Sequence, residues 1–243
     1  MSAPPLSALF AALEATWPPA RVTEAPPFRL RDGKGGGQRV SSAQALGPVT
    51  PADIDAAETA MAEMGQTALF MIRPDDDGLD QRLADRGYTV SDPTILYLIA
   101  PNQIARPGPL GRVFPTWPPF ALQREIWADG GIGPARLAVM ERAPEPKTTL
   151  LCRIKDTPAA TVFAALDGGI AMLHALEVAP EARRKGIGET LVRATAEWAA
   201  GKGADWLALA VTEANQAANA LYRKLGMKPA GRYHYRRAPG AGA

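Results

Sequence analysis

The run EVAPEARRKGIGETL, residues 177–191, passes from a strand-like stretch through a basic, glycine-containing turn into a helix-like stretch. Upstream, IAMLHALEV is an apolar strand candidate. Downstream, Ile187, Leu191, Ala194 and Trp198 recur at spacings of four, three and four, the pattern of a helix with one apolar face. A strand that feeds a helix start through glycines is suited to hold an anion. The first-turn N–H groups have no intrahelical partner, and the helix dipole puts partial positive charge there. Gly186 and Gly188 carry no Cβ, so a pyrophosphate can approach the backbone closely. Arg183, Arg184 and Lys185 add a positive field. Taken alone, the loop also reads as a solvated basic turn whose glycines serve loop geometry.

The surroundings narrow the choice. A P-loop requires G-x-x-x-x-G-K-[ST], which is absent, and a dinucleotide fingerprint requires G-x-G-x-x-G, which fails at Leu191. The run that does stand is V-x-P-x-x-R-x-x-G-x-G-x-x-L, carried by Val178, Pro180, Arg183, Gly186, Gly188 and Leu191. N-x-x-A-x-x-L-Y-x-x-L-G follows at 215–226. Strand candidates KTTLLCRIKD, ATVFAALDGG and IAMLHALEVAP precede the loop. DWLALAV is a core strand after it, NQAANALYRKLG a helix with Asn215 as N-cap and Gly226 as its stop, and RYHYR a last strand.

With these residues in view, the chain resembles the GCN5-related N-acetyltransferases over residues 148–237, extending back to about 120. The resemblance implies an α/β fold with a mixed central sheet flanked by helices, and acetyl-CoA as co-substrate. It implies that the loop Arg183, Arg184, Lys185, Gly186, Ile187, Gly188 and Glu189 binds the pyrophosphate through backbone N–H groups. The backbone near Leu176, Glu177 and Val178 would pair with the pantetheine arm and thioester carbonyl. Asn215 and Asn219 would contact the cofactor, and Tyr222 would sit beside the thioester sulfur.

The chemistry asks for a base to deprotonate the amine, a donor for the oxyanion and an acid for the departing thiolate. Val178 N–H suits the second role and Tyr222 the third. Family members often carry a Glu in the strand before the Asn; here LALAV offers none. His174 and Glu177, or a base acting through water, remain open for the first role. Read bottom-up, His174 is also an ordinary strand histidine of the core, and Tyr222 a helix tyrosine packing with Leu221 and Leu225.

The first half repeats part of this order. TALFMIRPDDDGLDQRLADRGYTV and DWLALAVTEANQAANALYRKLGMKPA both read strand, polar turn, short helix, Gly, strand, and TWPP occurs at 16–19 and 116–119. Two similar halves are therefore expected, with the first degenerate. GKGGGQR (33–39) lies between strand candidates and reads as a hairpin turn, and Leu83 falls where Tyr222 sits if Gly87 is aligned with Gly226. A first helix over 6–16 and another over 51–64, capped by Thr50, complete the half. The expected division is an N-terminal half over 1–100, a Pro-rich linker over 101–121, the catalytic half over 122–237 and a tail over 238–243. Trp117 and Trp127 are candidates for the pocket wall or for core packing.

Composition sets outer limits. Of 243 residues, 47% are apolar and 21% charged, and the net charge is only +2, which gives no chain-wide attraction to nucleic acid. One cysteine, Cys152, excludes an intrachain disulfide and a cysteine cluster for zinc, and the two histidines lie far apart, so no metal is expected. No stretch approaches the roughly 20 apolar residues of a membrane span, and the N-terminus lacks a signal pattern. A cytoplasmic monomer or homodimer acting on a small-molecule or peptide amine is expected, without nucleic acid or membrane partners. The alternative is a non-catalytic acyl-CoA-binding sensor on the same fold.

Overall fold

The computed structural model describes residues 2–240. In chain order the elements are α1 (Leu6–Ala15), β1 (Arg21–Ala25), β2 (Phe28–Asp32), β3 (Ala43–Ala45), α2 (Pro51–Glu63), β4 (Leu69–Ile72), α3 (Asp77–Asp85), β5 (Thr89–Ile99) and β6 (Arg112–Thr116). They continue with α4 (Ala121–Asp129), α5 (Pro134–Arg142), β7 (Lys147–Ile154), β8 (Thr157–Asp167), β9 (Ile170–Val178), α6 (Ile187–Gly201), β10 (Trp206–Thr212), α7 (Gln216–Lys224) and β11 (Lys228–Arg237).

The chain forms two compact units, and neither is contiguous. The larger holds residues up to Trp17, Leu96–Val211 and Asn215–Ala230; the smaller holds Pro18–Ile95, Thr212–Ala214 and the described residues from Gly231. The boundary falls inside β5 and β11 rather than in a linker. The stretch 101–121 contains β6, which pairs antiparallel with β7 from Arg112↔Arg153 to Thr116↔Thr149. Its dense prolines hid this strand. Pro115 is tolerated there because β6 lies at the end of the strand order. The glycines and prolines before β6 pack on α6, where a Cβ on Gly108 would lie 2.4 Å from Thr190 Cα. Residues 241–243 of the expected tail lie outside the described residues.

In the larger unit the strands run β5-β10-β9-β8-β7-β6, with β7–β8 and β8–β9 antiparallel and β9–β10 parallel. α6 packs on β8 and β9, as does α1. α6 buries Ile187, Leu191, Val192, Thr195, Ala196 and Ala199, whereas Ala194 and Trp198 are half-buried. The deepest stripe is thus displaced from the expected one, because residues 101–110 also cover the helix. Arg193 donates to Ile104 O at 3.2 Å and Thr190 Oγ1 to Leu110 O at 2.7 Å.

The two TWPP tryptophans converge instead of marking equivalent places. The rings of Trp17 and Trp117 lie 6.1 and 5.8 Å from that of Phe163 in the larger unit. Trp127 is fully buried, and Lys147 Nζ sits 4.4 Å over the Trp117 ring.

In the smaller unit β1 and β2 form a hairpin closed at Pro26-Pro27. β2 then pairs with β3, and the glycine-rich stretch lies in the connection, as expected; Val40 belongs to a short 3₁₀ turn rather than to the second strand. The core joins Phe28, Leu30, Ile54, Met61, Phe70 and Leu83. α2 starts with a complete capping box. Thr50 N–H donates to Asp53 Oδ2 at 2.7 Å, and Asp53 N–H to Thr50 Oγ1 at 3.3 Å.

The repeated strand–helix–glycine order is real. After α3, Gly87 has φ +79° and Tyr88 N–H donates to Leu83 O at 3.0 Å; after α7, Gly226 has φ +83° and Met227 N–H donates to Tyr222 O at 3.1 Å. These are the same left-handed helix stops. Leu83 and Tyr222 therefore hold equivalent positions.

Candidate functional site

The site starts where β9 leaves β10. Their parallel ladder runs from Ile170↔Trp206 to Leu173↔Leu209 and goes no further, although the strands continue to Val178 and Thr212. The cause lies in β9. Against β8 the register is Phe163↔His174 and then Thr161↔Glu177, so β9 carries one extra residue there. Ala175 has φ +51°, a left-handed conformation costing a non-glycine residue on the order of 1–2 kcal/mol. Trp127 Nε1–H donates to Ala175 O at 2.7 Å across this bulge. Before the bulge, Ala171–His174 are buried; after it, Leu176, Glu177 and Val178 are half-buried. This backbone is therefore open toward the side where β10 has parted from it.

The basic loop follows. Arg184 (φ +60°) and Gly186 (φ +83°) reverse the chain, and Gly186 is the N-cap of α6. A Cβ on Gly186 would meet Pro109 Cγ at 2.9 Å in addition to that strained φ. No side chain caps α6, so the N–H groups of Ile187, Gly188 and Glu189 face outward from a positive helix end. The α2 start differs, because its own Thr50 and Asp53 fill it. Arg184 and Lys185 are exposed. Gly188 has a second reason to be glycine: a Cβ there would lie 3.2 Å from Leu221 Cδ2, so α6 and α7 approach closely at this point.

Glu189 does not cap its helix. Its carboxylate accepts from Arg193 (Nε 3.0 Å) and Lys224 (2.9 Å), which hold it below the usual carboxylate range. The charge of this first-turn carboxylate is thereby balanced by two cations.

On α7, Asn215 Oδ1 accepts from Ala218 N–H at 3.1 Å. Asn219 is buried; its Nδ2 donates to Asn215 O at 2.8 Å, and Tyr97 O–H donates to its Oδ1 at 3.1 Å. Arg223 Nε donates to the same Tyr97 oxygen. Asn219 thus belongs to a network that fixes the helix start. Tyr222, next to the Leu221 that touches Gly188, is 5% exposed with its ring 5.8 Å from that of Tyr97. Burial pushes its phenol well above the usual value, and its hydroxyl has no protein hydrogen-bond partner among the described residues.

The two base candidates are placed very differently. His174 is buried, 5.0 Å from the Trp17 ring and 6.1 Å from Phe163. Thr16 Oγ1 donates to Ala12 O at 2.6 Å and lies 2.8 Å from His174 Nε2, with which it shares a hydrogen bond. This contact ties the His174 ring to the end of α1. Glu177 lies beyond the bulge, beside the open backbone. Its carboxylate occupies the space a Cβ on Gly130 would need, with Cδ 2.5 Å from that position, and Arg183 Nη2 donates to its Oε1 at 3.2 Å. Arg183 Nε also donates to Val178 O at 3.0 Å, tying the loop back to the strand.

The structure thus brings together the open β9 backbone, the uncapped α6 start with its cations, Tyr222 and Glu177, and sets His174 apart. Sequence reasoning missed Trp127 as the partner of the bulge and Gly130 as the wall of the Glu177 position. The only local signal was the set of glycines at 130, 131 and 133 after a helix. Among the described residues no cluster of three or more His, Cys, Asp or Glu is placed to hold a metal, and no helix is long and apolar enough to cross a membrane.

Known acetyltransferases resemble this chain in sequence and in fold. The sequence pattern of the acetyltransferase (GNAT) family matches residues 114–227. An uncharacterized N-acetyltransferase of Bacillus subtilis, YobR, is 28% identical over 234 residues, covering 91% of this chain and 94% of that protein. Among solved structures, a GCN5-related N-acetyltransferase from Kribbella flavida superposes with a TM-score of 0.75 at 21% identity, covering 98% of both chains. A tandem GNAT protein from the clavulanic acid biosynthesis pathway superposes at 0.61 with 15% identity, covering 95% of this chain and 87% of that one. The structural likenesses carry the fold.

Proposed function

Because the chain belongs to the GNAT acetyltransferase family, matched over residues 114–227, we propose that it moves the acetyl group of acetyl-CoA to a primary amine by direct attack on the thioester. The observation that carries this reading is the uncapped α6 start beside a β9 backbone that β10 has left unpaired. The residues suit the co-substrate. The N–H groups of Ile187, Gly188 and Glu189, with Arg183, Arg184 and Lys185 around them, suit a pyrophosphate. The open backbone of Leu176, Glu177 and Val178 suits an amide-bearing arm. Asn215 and Asn219 fix the α7 start beside it.

Glu177 takes the proton from the incoming ammonium, and the neutral amine attacks the thioester carbon. The N–C bond forms, Val178 N–H stabilises the oxyanion, and the C–S bond breaks. Burial keeps the Tyr222 phenol protonated, so its O–H is available to the sulfur as negative charge develops there. The smaller unit is a degenerate copy. Its α2 start is closed by its own capping box, and Leu83 stands where Tyr222 stands.

The test is release of CoA thiol from acetyl-CoA across a panel of amines. Release that depends on an amine supports the reading; acetyl-CoA binding without release with any amine would leave the acyl-CoA sensor instead. Glu177→Gln is expected to lower kcat by about 10²-fold with acetyl-CoA affinity kept. His174→Ala is expected to lower thermal stability, since it opens a cavity between Trp17 and Phe163, and to affect kcat less than Glu177→Gln does. The reverse ranking in kcat would return the role of base to His174.

A further inference from the structure

We propose that Trp127 is a positioning residue that holds the β9 bulge and so sets the reach of Val178 N–H and Glu177. The proposal rests on the acetyl-transfer reading for its role in turnover, but its structural basis is independent of that reading.

Three observations converge. The Trp127 indole is fully buried on α4, and its single N–H donor goes to Ala175 O at 2.7 Å. Ala175 and Leu176 stand between His174 and Glu177 where β8 has only Val162, and Ala175 is the one residue of β9 with positive φ. The β9–β10 ladder ends just before it, at Leu173↔Leu209. An alanine holds that φ only when its surroundings favour it over the extended form.

Without the indole donor, the half-buried Ala175 carbonyl loses its partner, and β9 gains by relaxing toward a regular strand. A regular strand has period two. Removing the extra residue would turn Glu177 and Val178 to the opposite face. Glu177 would then leave Gly130 and Arg183, and Val178 N–H would leave the open side of the sheet. Trp127 touches no reacting atom; it acts through the backbone.

The test exploits Ala175 itself. Glycine adopts φ near +51° without strain, so it holds the bulge with less need of the indole. Trp127→Phe is expected to lower kcat and kcat/KM together by roughly tenfold, as when an interaction made only in the transition state is lost. Adding Ala175→Gly to that variant is expected to restore most of the loss. A loss that glycine does not restore would assign Trp127 to packing and overturn the proposal, and so would unchanged kinetics in Trp127→Phe.

Where Trp127→Phe folds poorly, replacing Trp127 by 3-(3-benzothienyl)alanine keeps the ring and removes only the N–H. The same kinetic loss and rescue are then expected. If no amine supports turnover in the wild type, the acetyl-transfer reading fails separately. Amide hydrogen exchange at Leu176–Val178 then decides this proposal. Faster exchange in the variant, slowed again by Ala175→Gly, supports the latch; exchange that the indole substitution leaves unchanged overturns it.

Discussion

Gly186→Val is expected to weaken acetyl-CoA binding by about 100-fold or more, measured by calorimetric titration against wild type. Two costs add at this position. Gly186 has φ +83°, where a β-branched residue is a severe outlier. Its new Cβ would also meet Pro109 Cγ at 2.9 Å, in a proline-rich segment that is itself fixed to α6 through Thr190 and Leu110. The loop can relieve both only by re-aiming the first turn of α6. That turn carries the N–H groups assigned to the pyrophosphate, and their value depends on a shared direction. Misdirecting them by about 2.8 kcal/mol corresponds to the stated loss. Far-ultraviolet circular dichroism is expected to stay unchanged, because Gly186 caps the helix and lies outside its core. Binding at wild-type strength would remove the loop from the pyrophosphate site.

Tyr222→Phe is expected to lower kcat by about 10²-fold or more while acetyl-CoA affinity changes little. The hydroxyl makes no protein hydrogen bond among the described residues, so its removal breaks no network, and the ring keeps its place against Tyr97. The pH dependence follows from burial. The buried site disfavours phenolate, so the folded-state pKa lies above the ordinary value and the proton is kept as pH rises through neutrality. Tyr222 therefore contributes no loss of rate on the alkaline side below about pH 10. Initial rates of thiol release across pH, at saturating acetyl-CoA, check both statements. Unchanged kcat in Tyr222→Phe would return the residue to helix packing.

These two residues were legible before any fold was known, for a common reason. The loop proposed to hold the anion is contiguous, and the proposal follows from a helix start, a left-handed glycine and adjacent cations. Tyr222 lies four residues before a helix-stopping glycine, and Leu83 before Gly87 repeats that spacing. The strand KTTLLCRI and the strands after it were equally legible from their apolar runs and the turns between them. β6 was not, because Pro115 and its proline-rich surroundings outweighed the strand signal of a sequence only five residues long. α5 was also missed: PARLAVMER is short, and its buried face reduces to Val139 and Met140.

The two candidates for the base show what spacing cannot decide. His174 and Glu177 stand three apart on one strand, and as a regular strand their order says nothing about which reaches an amine. The bulge at Ala175 separates them, leaving His174 against Thr16 and turning Glu177 to Gly130 and Arg183. Its partner Trp127 lies 48 residues away, and a single indole N–H meeting a single carbonyl leaves no periodic trace in a sequence.

The sequence by itself determined the family and the α/β fold, and it singled out the loop and the tyrosine proposed for the site, because each is written in neighbours along the chain. Tertiary structure alone decided which strands belong to which unit, how far β9 follows β10 and which of His174 and Glu177 lies beside the open backbone. Those outcomes depend on side chains that meet across long loops, where close packing and the need to satisfy buried polar groups select one arrangement among many that the sequence pattern permits.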